Sequence, residues 1–458
     1  MNRVTRTIIS LVLALIIAAG LPLTALAAPA QAPWPVPETF PQAEGAILMD
    51  ARSGAVLYGQ NIHNQYYPAS ITKILTALLV IENCPNLDDK LTFSHRAIYD
   101  VEAGSSNAGY TEGDTVTVRT ALYALLLASA NEAANALAEY VSGSIEDFCD
   151  LMNERAKGLG CKDSHFANPS GLNNENHYTT AYDYALICRA AFANDTFVQI
   201  NGTTYYTLPP MQRQPDGATI YVHHNMLRRN SSQYYEGIIG GKTGYTTLAG
   251  NTLVTCAERE GMKLITVVLN GHQTHYDDTK LLLDFGFENF KCIDPAEYGS
   301  EYDTVLEGLD ITGDGVVNED IIKPSPSGAV TIPIDSDLED LNSELVYDIP
   351  AAAGAPENAC AMITYSYGDR TVGSQFILCK YSRGETDLVI GDPIENENES
   401  EAAKEEPITK RARDAFLESS LLVKILVIVG AVLLAGGLIA LIIFSSYSLS
   451  RRGRRKRF

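Results

Sequence analysis

The protein has 458 residues, of which 46% are hydrophobic, 20% charged and 8% aromatic. This composition is too apolar for a disordered chain and lacks the repeat of a fibrous one, and the length predicts two or three domains with ordinary cores. Acidic residues outnumber basic ones by 56 to 34, and the net charge of −22 argues against nucleic-acid binding, because an acidic body repels phosphate backbones.

The first 27 residues predict a signal peptide. Arg3 and Arg6 give a positive start, residues 8–20 are apolar, and residues 25–27 form a small-x-small cleavage site. An uncleaved membrane anchor is the alternative. Residues 28–42 hold five prolines and predict an extended linker after the cleavage site.

Residues 43–291 predict a first domain with strand patterns at both ends and helical patterns between them. The strand patterns are residues 46–49, 55–58, 252–257 and 263–270. Apolar residues recur with helical spacing in residues 71–82, 118–127 and 132–141. We therefore expect an α+β domain whose sheet takes its edges from distant chain segments.

Residues 292–391 predict a small β-rich domain. Short alternating runs, such as residues 330–334 and 375–378, are separated there by Gly, Pro and Asp. Residues 310–315 resemble the start of a calcium-binding loop. Thr312 and Ile321 stand where such a loop carries acidic ligands, so a plain turn is the preferred interpretation.

Eight cysteines permit disulfides, although the sequence does not determine their pairing and buried free thiols are the alternative. Cys360 and Cys379 flank a strand-turn-strand pattern, and a bridge between them is the pairing that we predict. No close group of Cys and His has the spacing of zinc ligands. We therefore predict no metal and no other cofactor.

The chain beyond residue 391 predicts attachment to a membrane. Residues 392–419 form an acidic linker, and residues 420–446 contain an uncharged run of twenty that forms a helix of about 30 Å, enough to cross a bilayer. Residues 447–458 carry six cations within seven residues, which the positive-inside rule places in the cytoplasm. We expect a single-pass cell-membrane protein with its body outside the cytoplasm.

The first candidate motif is Ser70-Ile71-Thr72-Lys73, which opens an apolar helix. Residues i and i+3 share a helix face, so Lys73 should lie beside Ser70. A serine becomes a good nucleophile when a base removes its proton, and burial of Lys73 would free its lone pair for that purpose. N–H groups at a helix start stabilise an oxyanion. A serine cap followed by a surface lysine is the alternative.

The second motif, Ser129-Ala130-Asn131, lies between two helical patterns. A hydroxyl there would pass a proton to a leaving amine, and an amide would hold a peptide backbone. An ordinary turn between helices, with Ser and Asn as caps, is the alternative.

The third motif is Lys242-Thr243-Gly244, at the start of a strand pattern. A cation and a hydroxyl on a strand suit the terminal carboxylate of an extended peptide, and the glycine allows the peptide to approach closely. A hairpin turn is the alternative. Chance rarely places all three motifs in this order within an exported protein.

Together the motifs resemble the signature of penicillin-binding proteins and serine β-lactamases. They strongly resemble the serine-type D-Ala-D-Ala carboxypeptidases, which are low-molecular-mass penicillin-binding proteins. The segments that carry the resemblance are residues 50–54, 68–77, 129–132, 168–172 and 241–244. The resemblance implies a β-lactamase/transpeptidase-like α+β domain with an antiparallel sheet and a helical cluster, then a small all-β domain and a C-terminal transmembrane helix.

The resemblance also implies a role for each catalytic residue. Ser70 would be the acyl-enzyme nucleophile and Lys73 its general base. Ser129 would relay the proton, and Asn131 would align the substrate with Lys73.

The same resemblance implies a carboxylate site and an oxyanion hole. The residues implied to bind the substrate are Lys242, Thr243, Gly244 and Tyr245. The terminal carboxylate would lie at the first two, and the backbone N–H groups of Ser70 and Tyr245 would form the oxyanion hole. His223 and His224 are further candidates for carboxylate binding, with a structural role as the alternative.

The implied reaction is removal of the terminal D-Ala from peptidoglycan pentapeptide stems, with β-lactam antibiotics as inhibitors that mimic the stem. A β-lactamase is the weaker interpretation, because only Glu175 stands where its activating glutamate is expected. Cleavage of existing cross-links uses the same residues and is a further alternative. A non-catalytic scaffold that binds the cell wall is another, although the intact motifs count against it.

Overall fold

The computed structural model describes residues 33–297 and 322–379. The strands are β1 (Gly45–Asp50), β2 (Val56–Gln60), β3 (Lys90–Thr92), β4 (Thr115–Thr117), β5 (Tyr205–Leu208), β6 (Ala218–Tyr221), β7 (Ile238–Thr246), β8 (Gly250–Arg259), β9 (Met262–Leu269), β10 (Phe290–Ile293), β11 (Ile322–Pro324), β12 (Ala329–Pro333), β13 (Asn342–Val346), β14 (Ala359–Tyr367) and β15 (Arg370–Cys379). The helices are α1 (Lys73–Asn83), α2 (His95–Tyr99), α3 (Val118–Leu127), α4 (Asn131–Ser142), α5 (Ile145–Gly158), α6 (Ala181–Phe192), α7 (Asp195–Asn201) and α8 (His275–Asn289).

Several predicted features lie outside the described residues. They are the signal peptide (1–27), the calcium-like segment (310–315), the acidic linker (392–419), the transmembrane helix (420–446) and the basic tail (447–458). Among the residues that the structure does describe, none of the helices combines the length and the apolar character that crossing a bilayer requires.

The first sheet is antiparallel and has the strand order β2-β1-β9-β8-β7. Strand β1 pairs with β9 from Gly45 opposite Leu269 to Asp50 opposite Leu264, so the two ends of the first domain meet at the centre of the sheet. This arrangement confirms the predicted strands and the prediction that distant segments build one sheet. Strand β7 lies at one end of this sheet, where its outer side faces no further strand of the sheet.

Both faces of the first sheet are buried. Side chains alternate across a strand, so Ile47 and Met49 pack into the cluster of helices, whereas Ala46 and Leu48 pack against α8 and the second sheet. Burial on both faces explains why the run at residues 46–49 is apolar without interruption.

The predicted helices are confirmed, with small shifts at their ends. The segment predicted at 71–82 forms α1 from Lys73, preceded by a 3-10 turn over Ala69–Thr72. Helix α3 begins where the Thr117 side chain accepts a hydrogen bond from the backbone N–H of Thr120. Helix α4 ends at Gly143, whose φ of +80° is the left-handed conformation that favours glycine.

The second sheet has the order β10-β12-β15-β14-β13, and β11 also pairs with β15. It contains the strands predicted at residues 330–334 and 375–378. The Ser53 and Thr331 hydroxyls join the two sheets through a hydrogen bond of 2.7 Å. The described residues on both sides of position 291 belong to one compact unit, and the boundary between 43–291 and 292–391 stays a prediction.

The predicted disulfide between Cys360 and Cys379 is wrong for this structure, in which all eight cysteines are free thiols. The strands β14 and β15 do bring the two residues close, so that the Cys379 side chain adds to the effect of burial in raising the pKa of Cys360. A bulge between Ala359 and Ala361 shifts the register there, and the Cys360 thiol also donates to the Ile377 carbonyl at 3.4 Å.

Candidate active site

Ser70 lies in the 3-10 turn that precedes α1, and two hydrogen bonds fix this turn. The Thr252 hydroxyl donates to the Pro68 carbonyl at 2.9 Å, and the Tyr184 hydroxyl donates to the Ile71 carbonyl. Ala69 has a φ of +51°, which is rare for a residue with a side chain. Strained backbone of this kind is common at functional sites, where the surrounding contacts maintain it.

Lys73 lies directly against Ser70. Its Nζ is 3.0 Å from the Ser70 Oγ and donates to the Ser170 carbonyl at 2.6 Å. The i, i+3 spacing predicted this adjacency, and the Lys73 side chain is fully buried. The two residues are therefore within reach of direct proton transfer.

Burial holds the pKa of Lys73 well below its usual value, because a charged amine loses its hydration there. The positive charge of Lys242 lowers the pKa further, and the carboxyl of Glu132 opposes both effects. Lys73 can therefore adopt the neutral form that a general base requires.

Residues 168–172 form the wall that holds the Ser170 carbonyl in place. The Asn168 Oδ1 accepts hydrogen bonds from the backbone N–H groups of Ser170, Gly171 and Leu172. The Thr76 hydroxyl on α1 donates to the Pro169 carbonyl at 2.7 Å. The sequence indicated this segment as part of the resemblance but gave it no role.

Ser129 and Asn131 lie at the junction of α3 and α4. Ser129 is buried and has a φ of +59°, and its hydroxyl forms no hydrogen bond with any residue that the structure describes. The Asn131 Nδ2 donates to the Ser105 Oγ at 2.9 Å, while its buried Oδ1 has no hydrogen-bond partner within the described ranges. The positions fit the predicted junction, and the two roles stay predictions.

The loop at residues 104–110 covers this junction and was not identified from the sequence. The backbone N–H of Asn131 donates to the Ser106 carbonyl at 3.0 Å, and the buried Glu132 carboxyl accepts from the Ala108 N–H at 2.7 Å. Burial raises the pKa of Glu132. These contacts hold the Asn131 amide at a fixed position in the site.

The third motif lies on the edge strand β7, next to the nucleophile. A Cβ added to Gly244 would lie 2.9 Å from the Ser70 backbone nitrogen, so no other residue lets the strand approach this closely. The following residue, Tyr245, exposes 66% of its side chain. The backbone of β7 thus borders Ser70, as the predicted oxyanion hole requires.

Lys242 is buried beside this point and donates to the Thr243 carbonyl at 2.8 Å. Burial lowers the pKa of Lys242 to about 7. Since its charge affects Lys73, the two amines face one site. Lys242 is thus a buried amine on the outer strand, and its role in binding a carboxylate stays a prediction.

The two histidines have different positions. His224 is buried, and its ring contacts the Thr255 hydroxyl at 2.9 Å and accepts from the Met226 N–H, which is the structural role given as the alternative. His223 has an exposed side chain, but its ring loses part of its hydration, and this loss together with the charges of Lys242 and Lys73 lowers its pKa, so it borders the site.

Glu175, the residue considered as the activating glutamate of a β-lactamase, does not contact Lys73 among the described residues. Glu175 is exposed, and the Ser170 carbonyl occupies the position beside Lys73. No group of His, Cys, Asp and Glu suited to a metal ion occurs within residues 33–297 and 322–379.

Residues 34–273 match the family model described as D-alanyl-D-alanine carboxypeptidase. The D-alanyl-D-alanine carboxypeptidase DacB2 of Mycobacterium tuberculosis is 34% identical over 263 residues, which are 55% of this chain and 84% of that protein. The D-alanyl-D-alanine carboxypeptidase DacF of Bacillus subtilis is 33% identical over 256 residues. The match covers 55% of this chain but only 63% of the Bacillus protein, which is less than two thirds of its length.

The comparison with solved structures agrees with this family match as far as the fold is concerned. The DD-transpeptidase of Streptomyces K15 superposes with a TM-score of 0.51 and is 30% identical, covering 55% of this chain and all of that one. Penicillin binding protein 6B of Escherichia coli has a TM-score of 0.55 at 24% identity and covers 75% of this chain and 96% of that one. The transpeptidase-like α+β fold predicted from the motifs is confirmed.

Proposed function

The chain belongs to the D-alanyl-D-alanine carboxypeptidase family of serine peptidases, and from this premise we propose that it removes the terminal D-Ala from peptidoglycan pentapeptide stems. The observation that carries the proposal is the contact of 3.0 Å between the Ser70 Oγ and the buried amine of Lys73, next to a strand that presents Lys242.

In this mechanism the neutral Lys73 amine takes the proton of Ser70 while the Ser70 Oγ attacks the carbonyl carbon of the penultimate D-Ala. The oxyanion lies between the N–H groups of Ser70 and Tyr245. The peptide C–N bond breaks, and the proton passes through the Ser129 hydroxyl to the amine of the departing D-Ala. Water then hydrolyses the ester with Lys73 again acting as base, and Ser70 is restored.

A synthetic pentapeptide that ends in D-Ala-D-Ala tests the proposal directly. Mass spectrometry of the peptide after incubation with the protein should show loss of one alanine. A β-lactam should acylate the same serine, since it mimics the peptide. Cleavage of a cross-linked dimer instead would favour the endopeptidase alternative, and no product from either substrate would support the scaffold.

The two buried lysines predict a pH profile for kcat/KM. The mechanism needs Lys73 neutral, and its pKa lies well below the usual value, so activity should rise as Lys73 loses its proton. It also needs Lys242 charged, and the pKa of Lys242 of about 7 means that the cation is lost as the pH rises through that value. We therefore expect kcat/KM to fall above about pH 7.

The variant Lys242→Arg isolates the alkaline side of this profile. A guanidinium stays charged at every pH of the experiment, so the fall at high pH should move upwards even where the maximal rate is lower. A fall at the same pH in Lys242→Arg and in the wild type would contradict the assignment to Lys242.

We propose that residues 1–27 direct export and that the 420–446 helix anchors the protein in the cell membrane with its body outside. The support is the charge and hydropathy pattern of the sequence. Protease added to intact cells should digest the 43–291 region and spare the basic tail. Protection of the 43–291 region, with digestion of the tail, would reverse the orientation.

A further inference from the structure

A groove of about 410 Å³ lies beside the hairpin β5–β6, outside the catalytic residues. One wall is the exposed ring pair Tyr205 and Tyr221, which are direct cross-strand partners with centroids 6.4 Å apart. The other wall is formed by Arg228, Arg229 and their neighbours. Tyrosine rings beside guanidinium groups form a surface that suits a polar, anionic peptide.

The hairpin is held rigidly against the catalytic domain. Tyr206, on its opposite face, stacks on Tyr123 of α3 with centroids 4.0 Å apart and rings within 9° of parallel. The Tyr206 hydroxyl also contacts the Thr120 hydroxyl at 3.2 Å. The backbone that carries the two exposed tyrosines is therefore held in place before any ligand arrives.

The two arginines have no acidic partner among the described residues. Both side chains are exposed, neither forms an ion pair within residues 33–297 and 322–379, and none of the residues that line the groove is acidic. In a protein with a net charge of −22, two adjacent exposed arginines without an ion pair form a local concentration of positive charge. The two arginines create a local positive potential on a protein whose overall charge is negative, and this local potential attracts carboxylates.

The groove is connected to the catalytic site through one short segment. The ring of His224 lies against Gly241 on β7, where an added Cβ would come within 2.4 Å of it. Arg228 is four positions after His224, which is at most about 14 Å of chain. Besides the loss of hydration, the charges of Lys242, Lys73 and Arg228 lower the pKa of His223, so this residue lies within electrostatic range of both the catalytic site and the groove.

We propose that this groove is a second subsite, which binds a carboxylate of the same peptide whose C-terminus lies at Lys242. The inference rests on the proposed function. In an extended pentapeptide the second residue lies about 10 Å from the C-terminal residue, and this is the separation at which we propose that the C-terminus binds at β7 and an acidic second residue binds at Arg228 and Arg229. The tyrosine rings would cover the intervening peptide. The protein would thus prefer acidic stem peptides over neutral ones.

Two pentapeptides test the subsite, L-Ala-γ-D-Glu-L-Lys-D-Ala-D-Ala with the glutamate α-carboxylate either free or amidated. Both keep the C-terminal carboxylate, so only the proposed contact differs. The wild type should cleave the free form with a kcat/KM about tenfold higher, mainly through KM. The double variant Arg228→Gln and Arg229→Gln should lose this preference and cleave the amidated peptide as the wild type does.

The matched control is Arg213→Gln, which removes an exposed arginine that does not line the groove. It should retain the preference. The proposal is overturned if the wild type shows no preference, if the double variant loses activity equally on both peptides, or if Arg213→Gln also loses the preference.

Binding distinguishes failure of the subsite from failure of the proposed reaction. Fluorescence anisotropy with the Ser70→Ala protein and labelled forms of the two peptides should show tighter binding of the free acid, weakened by the Arg228 and Arg229 changes. Discrimination in binding without cleavage by the wild type would retain the subsite and overturn the carboxypeptidase function. Equal binding of both peptides would overturn the subsite, whatever the cleavage result.

Discussion

The variant Ser70→Ala is expected to abolish covalent labelling by fluorescent penicillin and to lower kcat/KM for a D-Ala-D-Ala peptide by at least about 10³-fold. The reason is that no acyl-enzyme forms without the Ser70 Oγ, which is the hydroxyl that lies 3.0 Å from the Lys73 amine. Gel fluorescence and intact-protein mass report the label, and release of D-Ala reports the rate.

The fold should survive this change. The lost hydroxyl forms one described hydrogen bond, with Lys73, so the free energy of unfolding should change by no more than about 1 kcal/mol. The control is Ser232→Ala, which removes an exposed hydroxyl from a turn and should label normally. A label that persists on Ser70→Ala would assign the nucleophile to another residue, and peptide mapping of the label would identify it.

Local patterns were sufficient to predict the parts of the site that depend on one element. The i, i+3 spacing placed Lys73 beside Ser70, and the interruption between helical patterns placed Ser129 and Asn131 between α3 and α4. The alternation of side chains identified the strands, and strand patterns at both ends of the first domain predicted that distant segments build one sheet. Each of these features follows from a period or a break within a few residues.

The contacts that complete the site join residues far apart in the sequence, and no local pattern encodes them. The Ser170 carbonyl that accepts from Lys73 is 97 residues away, and the Ser105 hydroxyl that holds the Asn131 amide is 26 residues away. The predicted Cys360–Cys379 disulfide depends on a distant contact of the same kind. Strand pairing brought the two residues close, but a register shift between the strands determined the hydrogen-bond partner of the Cys360 thiol.

Glycines in motifs gave an indirect signal for these distant contacts. A side chain on Gly244 would collide with the Ser70 backbone, and a side chain on Gly241 would collide with the ring of His224. In both cases a second segment of chain occupies the space that a Cβ would need. A glycine in an otherwise polar motif therefore marked a close approach whose partner only the fold could identify.

Gly171→Ala is expected to damage both activity and stability through such an approach. An added Cβ would lie 1.9 Å from the Ala69 carbonyl oxygen, and Gly171 has a φ of +84°. The turn that carries Ser70 would have to move by about 1 Å, and a displacement of that size at a reacting group costs about 10²-fold in rate. We expect the acylation rate by penicillin to fall by at least that factor, and the free energy of unfolding to fall by about 2 kcal/mol or more.

The variant Gly143→Ala separates the cost of a left-handed backbone at alanine from the effect of a steric clash with the added Cβ. Gly143 has nearly the same backbone conformation, with a φ of +80°, but nothing lies within 4 Å of its added Cβ. It should lose only the roughly 1 kcal/mol that a left-handed alanine costs, with an unchanged acylation rate. If Gly171→Ala acylates as fast as Gly143→Ala, the wall at residues 168–172 does not position Ser70 and Lys73. If only Gly171→Ala is slow, the acylation rate depends on the close approach of the Ala69 and Ser170 backbones, which the absence of a side chain at Gly171 allows.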